Sequence, residues 1–283
     1  MPARHCSPTP NSPRRPDTIR LKLLKIGALV KIALQWPRPV PTPGNGGSSP
    51  HDWLWPAAPP PDRRRSGLLA TYLGEDAGRR VHAGAVQRGS IEKLRAVIWY
   101  ADIRGFTSIG DAAPGPVVID PLNDVFEILT LALRTRRGQV LKFIGDGMLA
   151  TFSFEEADRD ETCRRALDAA TEAMQKLEVL NSARAAAGVP VASVDLALHI
   201  GEVLYGNVGA TDRLDFTIIG PAVNEATRIE ALCEPLGRSV LISPEFAAIA
   251  VDSGCRLEPL GLHALRGVRE PKEIFALDVS AGA

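Results

Sequence analysis

From Lys93 onward, apolar runs with the pattern of strands alternate with longer runs that have the pattern of helices, and this alternation restricts the fold more than any other feature of the sequence. Residues 94–101 are apolar at successive positions, as expected for a central strand covered on both faces. Residues 116–137 and 157–187 carry apolar side chains at helical spacing. The triplet Gly-Asp-Gly at 145–147 separates two strand-like runs, which is typical of a hairpin. The pattern predicts an α+β fold with a mainly antiparallel sheet and flanking helices.

The second half of the chain continues this alternation. Residues 194–200 and 203–209 predict two strands that turn at Gly201. Residues 214–220 predict another strand, after which Pro221 begins a helix at a position where its missing N–H has no cost. Three short apolar runs near the C-terminus, SVLIS, CRLEPL and EIFALDV, predict the closing strands.

The overall composition argues against several classes of protein. The chain has 33 basic and 33 acidic residues, so no global positive field favours nucleic acid as a partner, and a polymerase with a basic template groove is disfavoured. The four cysteines, Cys6, Cys163, Cys233 and Cys255, are scattered without metal-binding spacing. They predict free thiols in a reducing compartment, and therefore a cytoplasmic location rather than a disulfide framework or a zinc site.

The N-terminal part of the chain differs in composition from the rest. Residues 1–62 are rich in Pro, Ser and Arg, and they predict a disordered segment that cannot bury enough apolar surface to fold alone. Residues 63–92 predict a helical lead-in or linker. No run of 18 apolar residues is present, which argues against a transmembrane segment. Residues 19–36, interrupted by three lysines, predict either a short helix in a tail, which is favoured, or a basic amphipathic segment with weak contact to a membrane surface.

Two aspartates stand where carboxylates are expected to take part in chemistry. Asp102 follows the buried strand at 94–101, and Asp146 lies at the tip of the glycine-flanked hairpin. If that strand and the hairpin are neighbours in the sheet, both carboxylates lie at one edge, where they can bind Mg²⁺ that keeps its phosphate ligands. Two such ions can hold the groups of an in-line displacement at phosphorus. Each aspartate alone also has a structural interpretation, in which Asp146 satisfies a turn and Asp102 caps the segment that follows.

Three further polar residues are candidates for substrate contacts. Asn224 and Arg228 lie four residues apart in the helix that Pro221 begins, so both are expected on one helix face. An amide and a guanidinium together can orient a ribose and neutralise charge that develops on a phosphate; the alternative is an exposed polar face. Lys142, in an apolar strand, is either a donor to a ring nitrogen of a base or a lysine that extends from a sheet edge to water.

Four motifs in this order resemble the catalytic domain of class III nucleotidyl cyclases. They are WYADIRGFTS, LKFIGDGMLA, GNVG and DFTIIGPAVNEATRIE. The resemblance covers about Lys93 to Leu277, and it implies a cyclase catalytic domain at residues 93–279 with the ferredoxin-like fold of that family. The activity it implies is that of an adenylate cyclase, a lyase that converts ATP to 3′,5′-cyclic AMP and pyrophosphate in signal transduction.

The resemblance also implies roles for individual residues. Asp102 and Asp146 match the aspartates that bind two Mg²⁺ or Mn²⁺ ions, and Ile103 lies where a backbone carbonyl binds one metal. Lys142 matches the lysine that reads adenine, and Thr217 falls where many members have an aspartate as the second base reader. A threonine there resembles a bacterial subgroup that uses ATP, of which some members respond to bicarbonate.

The remaining matches concern the substrate and the transition state. Phe106 and Thr107, in the first motif, are expected in substrate binding. Asn224 matches the asparagine that orients the ribose, and Arg228 matches the arginine that stabilises the transition state. Glu225 departs from the family pattern, and we expect it to point away from Asn224 and to tolerate substitution. The basic residue that holds the terminal phosphates is open among Arg266, Arg269 and Lys272, with Val268 at its usual place.

The family builds its site between two catalytic domains, one of which supplies the metal aspartates and the other the base readers, the asparagine and the arginine. This chain contains both sets once, so the resemblance implies a head-to-tail homodimer with two complete sites. Residues 204–217 would form the hairpin arm that reaches across. Two alternatives stay open: a catalytically silent nucleotide-binding regulatory domain, and a guanylate cyclase.

Overall fold

The computed structural model describes residues 74–84, 89–106, 115–210, 212–250 and 255–279. The chain divides into two units, Met1–Leu54 and Trp55–Ala283, and every described residue belongs to the second. The predictions for residues 1–62, with the segment at 19–36, and for Thr107 lie outside the described residues, as does the first part of the lead-in. Among the residues that are described, no helix is long and apolar enough to cross a membrane.

The described elements comprise eight strands and six helices. The strands are β1 (Ile91–Ile103), β2 (Gln139–Ile144), β3 (Gly147–Phe154), β4 (Val194–Gly209), β5 (Leu214–Ile219), β6 (Val240–Ile242), β7 (Leu257–His263) and β8 (Lys272–Leu277). The helices are α1 (Glu75–His82), α2 (Gly115–Thr135), α3 (Arg159–Ala186), α4 (Pro221–Glu230), α5 (Cys233–Leu236) and α6 (Pro244–Ala250), and a 3₁₀ turn (Glu156–Asp158) precedes α3.

All eight strands form one sheet, which confirms the predicted α+β fold. Its order is β2-β3-β1-β4-β6-β8-β7, and β5 also pairs with β4. The pairs are antiparallel apart from β4 with β6 in this part of the chain. The hairpin of β2 and β3 and the start of α4 at Pro221 also agree with the sequence.

Strand β1 lies at the centre of the sheet, and both of its faces are buried. Trp99 and its neighbours on the same face pack against the core under α2, α3 and α6. Ile98 and Tyr100, on the opposite face, pack with α1 and with Ala226 of α4. Because side chains alternate along a strand, Asp102 shares the face of Tyr100. The central strand therefore points Asp102 to the side of the sheet that carries α4.

The predicted turn at Gly201 is wrong, because β4 is one strand of 16 residues from Val194 to Gly209. Gly201 pairs with Ala96 of β1 in an unbroken register. The glycine serves packing instead of a turn: a Cβ atom at position 201 would lie 2.6 Å from the Cβ of Ala222 in α4. The absence of a side chain allows α4 to approach β4 closely.

Candidate active site

The two candidate metal-binding aspartates lie side by side at the end of β1. Asp102 pairs with Gly147, the first residue of β3, and Asp146 directly precedes that glycine in the hairpin turn. The Ile103 N–H donates to the backbone oxygen of Asp146 at 3.1 Å. The two aspartates are buried, with 8% and 6% of their surface exposed. The structure thus brings together the three residues that the sequence proposed for metal binding.

A group of oxygen atoms surrounds the space above Gly147. A Cβ atom at this position would lie 2.9 Å from Asp102 Oδ1, 3.1 Å from the carbonyl oxygen of Ala101 and 3.4 Å from that of Ile144. Carboxylate and carbonyl oxygens are the ligands that hard divalent cations prefer. The donors around this position therefore suit a hard divalent cation such as Mg²⁺ or Mn²⁺, and a side chain at position 147 would crowd them.

The pKa of Tyr100 reflects the negative charge of this region. Burial, followed by the charges of Asp102, Glu230 and Asp146, raises the pKa of the Tyr100 phenol. Glu230, the last residue of α4, is 2% exposed. The burial of Glu230 is not visible in the sequence, because the end of an amphipathic helix is a common place for an exposed glutamate.

A buried ion pair supports the end of β1. Asp195, which lies opposite Asp102 in β4, accepts hydrogen bonds from the Nε of Arg104 at 3.1 and 3.2 Å. Arg104 also donates to the backbone oxygen of Arg238 at 3.2 Å. The bond to Asp195 raises the pKa of Arg104, although burial acts in the opposite direction. This contact holds Arg104, the residue directly after Ile103, in place.

An acidic residue of β5, Asp215, links the two candidate base readers, Lys142 and Thr217. Lys142 of β2 forms an ion pair with Asp215 of β5. Asp215 precedes Thr217 by two positions, so the two side chains share a face of β5. The side chain of Lys142 is 30% exposed, and that of Asp215 is 56% exposed. The sequence did not reveal Asp215, because the contact joins residues that are 73 positions apart.

Helix α4 presents Asn224 and Arg228 from an anchored position. Ala226 and Ile229 of this helix are fully buried, while Asn224 is exposed and Arg228 is half-buried. The guanidinium lies against the loop between β7 and β8, since a Cβ atom on Gly267 would be 3.5 Å from its Nη2. Arg228 is therefore held between its own helix and this loop.

A charged cluster that the sequence did not predict lies beside α4. Lys272, the first residue of β8, forms ion pairs with Glu225 of α4 and Glu245 of α6. Glu225, which the sequence predicted to be free to change, is thus engaged in a contact between two elements. His199 of β4 is buried, and its Nδ1 is 3.7 Å from Glu245 Oε2. Ligand atoms of the histidine and the two glutamates lie within 4.8 Å of one another, as in a metal site. Lys272 already supplies a cation to both carboxylates.

The pKa values in this cluster follow from its charges. Although partial burial lowers the pKa of Lys272, hydrogen bonds to Glu225 and Glu245 raise it overall. Burial lowers the pKa of His199, against the effect of the two carboxylates. Of the three candidates for holding terminal phosphates, Lys272 is thus already engaged, whereas Arg266 and Arg269 are exposed.

Phe106 is the remaining described candidate. It is partly buried and packs against the larger core cluster. The three described cysteines, Cys163, Cys233 and Cys255, are free thiols, as predicted.

With this geometry established, the chain belongs to the family of adenylate and guanylate cyclase catalytic domains, whose model matches residues 90–278. Cyclases of this family are lyases that act on nucleotides.

Two of the curated relatives are bacterial adenylate cyclases. The chain is 36% identical over 162 residues to an adenylate cyclase of Anabaena cylindrica, covering 56% of this chain and 31% of that protein. It is 31% identical over 211 residues to adenylate cyclase 1 of Rhizobium meliloti (strain 1021), covering 73% of this chain and 31% of that protein. The chain thus spans about a third of the length of these relatives.

Solved structures agree with the fold. The adenylyl cyclase CyaB from P. aeruginosa is similar with a TM-score of 0.61 and 24% identity, covering 67% of this chain and 96% of that chain. Guanylyl cyclases are also among the similar structures. The likeness supports the mixed α+β fold with its mainly antiparallel sheet.

The Gly147→Ala substitution is expected to weaken the use of divalent metal. The backbone at Gly147 is one that alanine adopts, so the effect comes from the new Cβ atom, which would displace the Asp102 carboxylate. The Mg²⁺ concentration needed for half-maximal cyclase activity should rise about tenfold, as for loss of one well-placed ligand contact. Ser153→Ala, at an exposed position of the same strand, is the matched control. An unchanged Mg²⁺ dependence in Gly147→Ala would contradict the placement of the metal.

Proposed function

We propose that this chain is an adenylate cyclase, which converts ATP to 3′,5′-cyclic AMP and pyrophosphate at a site shared by two copies of the catalytic domain at 93–279. The observation that carries the proposal is the strand register that places Asp102 opposite Gly147, and so beside Asp146, at a point where carboxylate and backbone oxygens converge. A cytoplasmic location stays a prediction, in keeping with ATP as the substrate.

The acidic end of β1 is the proposed site for two divalent metal ions. Asp102, Asp146 and the carbonyl of Ile103 would hold them, because the donors are oxygens and the two aspartates are neighbours in the sheet. Mg²⁺ or Mn²⁺ bound there would lower the pKa of the ribose 3′-hydroxyl and neutralise charge on the triphosphate. The buried environment strengthens the attraction between these carboxylates and a cation.

Asn224 and Arg228 are the proposed catalytic residues. The Asn224 amide would hydrogen-bond to the ribose and orient its 3′-hydroxyl for attack. In the reaction the 3′-oxygen forms a bond to the α-phosphorus, the bond from that phosphorus to the pyrophosphate oxygen breaks, and the hydroxyl proton passes to water. Arg228 would stabilise the negative charge that develops on the phosphoryl oxygens.

Lys142 and Thr217 are the proposed base readers. The Lys142 ammonium would leave Asp215 and donate to N1 of adenine, and the Thr217 hydroxyl would accept from the N6 amine. Guanine presents a donor at N1 and an acceptor at C6, so the same pair should bind it poorly. Phe106 and Thr107 complete the proposed substrate contacts.

A head-to-tail homodimer is proposed from the distribution of these groups and from the surface of the arm formed by β4 and β5. Leu204 and Ile219 are cross-strand partners on this arm, and with Val208 they are exposed by 40%, 42% and 37%. Exposed apolar side chains in contact with one another mark an interaction surface. A second copy of the chain would cover this surface while it completes the site.

The ATP and GTP turnover of the purified chain, measured across protein concentration, tests this function. We expect cyclic AMP formation with a kcat/KM for ATP at least about a hundredfold above that for GTP. The reason is that guanine would leave the hydrogen-bonding groups of Lys142 and Thr217 without partners. Activity per chain should increase with protein concentration as dimers form. Preference for GTP would instead make the chain a guanylate cyclase, and tight ATP binding without product would make it a regulatory domain.

A further inference from the structure

We propose that Glu225 is a positioning residue, whose ion pair with Lys272 holds helix α4 so that Arg228 stays in its reactive position. The inference rests on the proposed function and deepens it. It concerns a residue that touches neither the substrate nor the metals and that acts through Arg228.

The ion pair joins the two parts of the structure that enclose Arg228. Glu225 and Arg228 lie three residues apart on α4, about one turn of the helix. Lys272 follows the loop that contains Gly267, and this loop lies against the Arg228 guanidinium. The contact of Glu225 with Lys272 therefore ties the helix that carries Arg228 to the strand that directly follows this loop.

The pair of Glu225 and Lys272 is more shielded from water than an ordinary surface ion pair. The side chains of Glu225 and Lys272 are 14% and 22% exposed. An opposite-charge contact that is mostly shielded from water is weakened less by solvent and salt. Loss of one partner of such a pair is also more costly than loss of a surface charge.

A second acid offers a natural control. Glu245 binds the same ammonium as Glu225, and its side chain is 41% exposed. It belongs to α6 rather than to α4, so its contact does not hold the helix of Arg228. His199 adds an imidazole whose Nδ1 is buried without a hydrogen-bond partner, and burial lowers its pKa, which favours the neutral form. Lys272 is then the cation of the cluster, and Glu225 connects it to α4.

The expected consequence is a change in rate rather than in substrate affinity. The buried side chains of Ala226 and Ile229 keep α4 folded on the sheet when the charge of Glu225 is removed. The helix would still be free to shift slightly about this apolar contact. A displacement of reacting groups by about 1 Å costs up to about a hundredfold in rate, so a smaller shift should lower kcat by about tenfold.

The test compares Glu225→Gln with Glu245→Gln in the full chain, alone and combined with Arg228→Ala. Glu225→Gln should lower kcat by about tenfold and leave the KM for ATP within about twofold, whereas Glu245→Gln should change kcat by less than about twofold. If Glu225 acts through Arg228, the double variant with Arg228→Ala should be no slower than Arg228→Ala alone. Glu225→Asp, which keeps the charge, should recover part of the lost rate.

Three outcomes would overturn the inference: equal effects of the two glutamine variants, an additive effect in the double variant, or a full rate in Glu225→Gln. Thermal unfolding of each variant shows whether the chain is folded at the assay temperature. Where Glu225→Gln is not folded, the rate of Glu225→Met decides, because this variant also removes the charge, and a rate equal to that of the unaltered chain excludes a positioning role. Failure of the proposed function itself would appear differently, as an unaltered chain that makes no cyclic AMP.

Discussion

Replacement of Asp102 by alanine is expected to lower cyclic AMP formation by at least about a thousandfold, since metal-assisted displacement at phosphorus loses one of its two anchoring carboxylates. Asp102 lies next to Gly147 and Asp146 at the end of β1, where oxygens of the side chain and the backbone converge. Its two cross-strand partners cannot replace this carboxylate, because Gly147 of β3 has no side chain and Asp195 of β4 is already bound by Arg104.

The loss should be catalytic rather than structural. Asp102 is a buried charge, and the strand that carries it is held by pairing with β3 and β4 along its length. The unfolding midpoint of Asp102→Ala should therefore stay within about 5 °C of that of the unaltered chain. Asp160→Ala, which removes an exposed carboxylate from α3, is the matched control and should keep its full rate. Retention of more than about a tenth of the activity by Asp102→Ala would rule out the metal role.

Local sequence patterns predicted much of the fold and the positions of several site residues. The central strand β1 was recognised because apolar residues at successive positions need cover on both faces. The Gly-Asp-Gly turn predicted the hairpin of β2 and β3, and Pro221 predicted the start of α4. The proximity of Asp102 and Asp146 followed once the hairpin was placed beside β1.

Contacts between distant segments could not be predicted in this way. Gly201 was expected to form a turn, since the sequence cannot distinguish a turn glycine from one that admits a neighbouring helix. The contacts of Lys142 with Asp215 and of Lys272 with Glu225 depend on the assembled sheet. Charged residues of this kind have the same local pattern as exposed ones, so only the tertiary structure identifies their partners.

The central claim is that one active site is made by two chains, and mixing two inactive variants tests it most directly. Asp102→Ala lacks a metal ligand, and Arg228→Ala lacks the group proposed to stabilise the transition state. In a head-to-tail dimer of one copy of each, one site carries both lesions and the other carries neither. At equal amounts, half of the dimers are mixed, so about one quarter of the unaltered activity should return.

A mixture of Asp102→Ala with Asp146→Ala is the matched control, because both lesions fall in the metal-binding half and no intact site can form. The measurement is the rate of cyclic AMP formation as the ratio of the two variants is varied at constant total protein. The shared site predicts that activity rises to a maximum at equal amounts of Asp102→Ala and Arg228→Ala, and that it stays at background in the control. Background activity at every ratio of Asp102→Ala to Arg228→Ala, with both variants folded and dimeric, would contradict it.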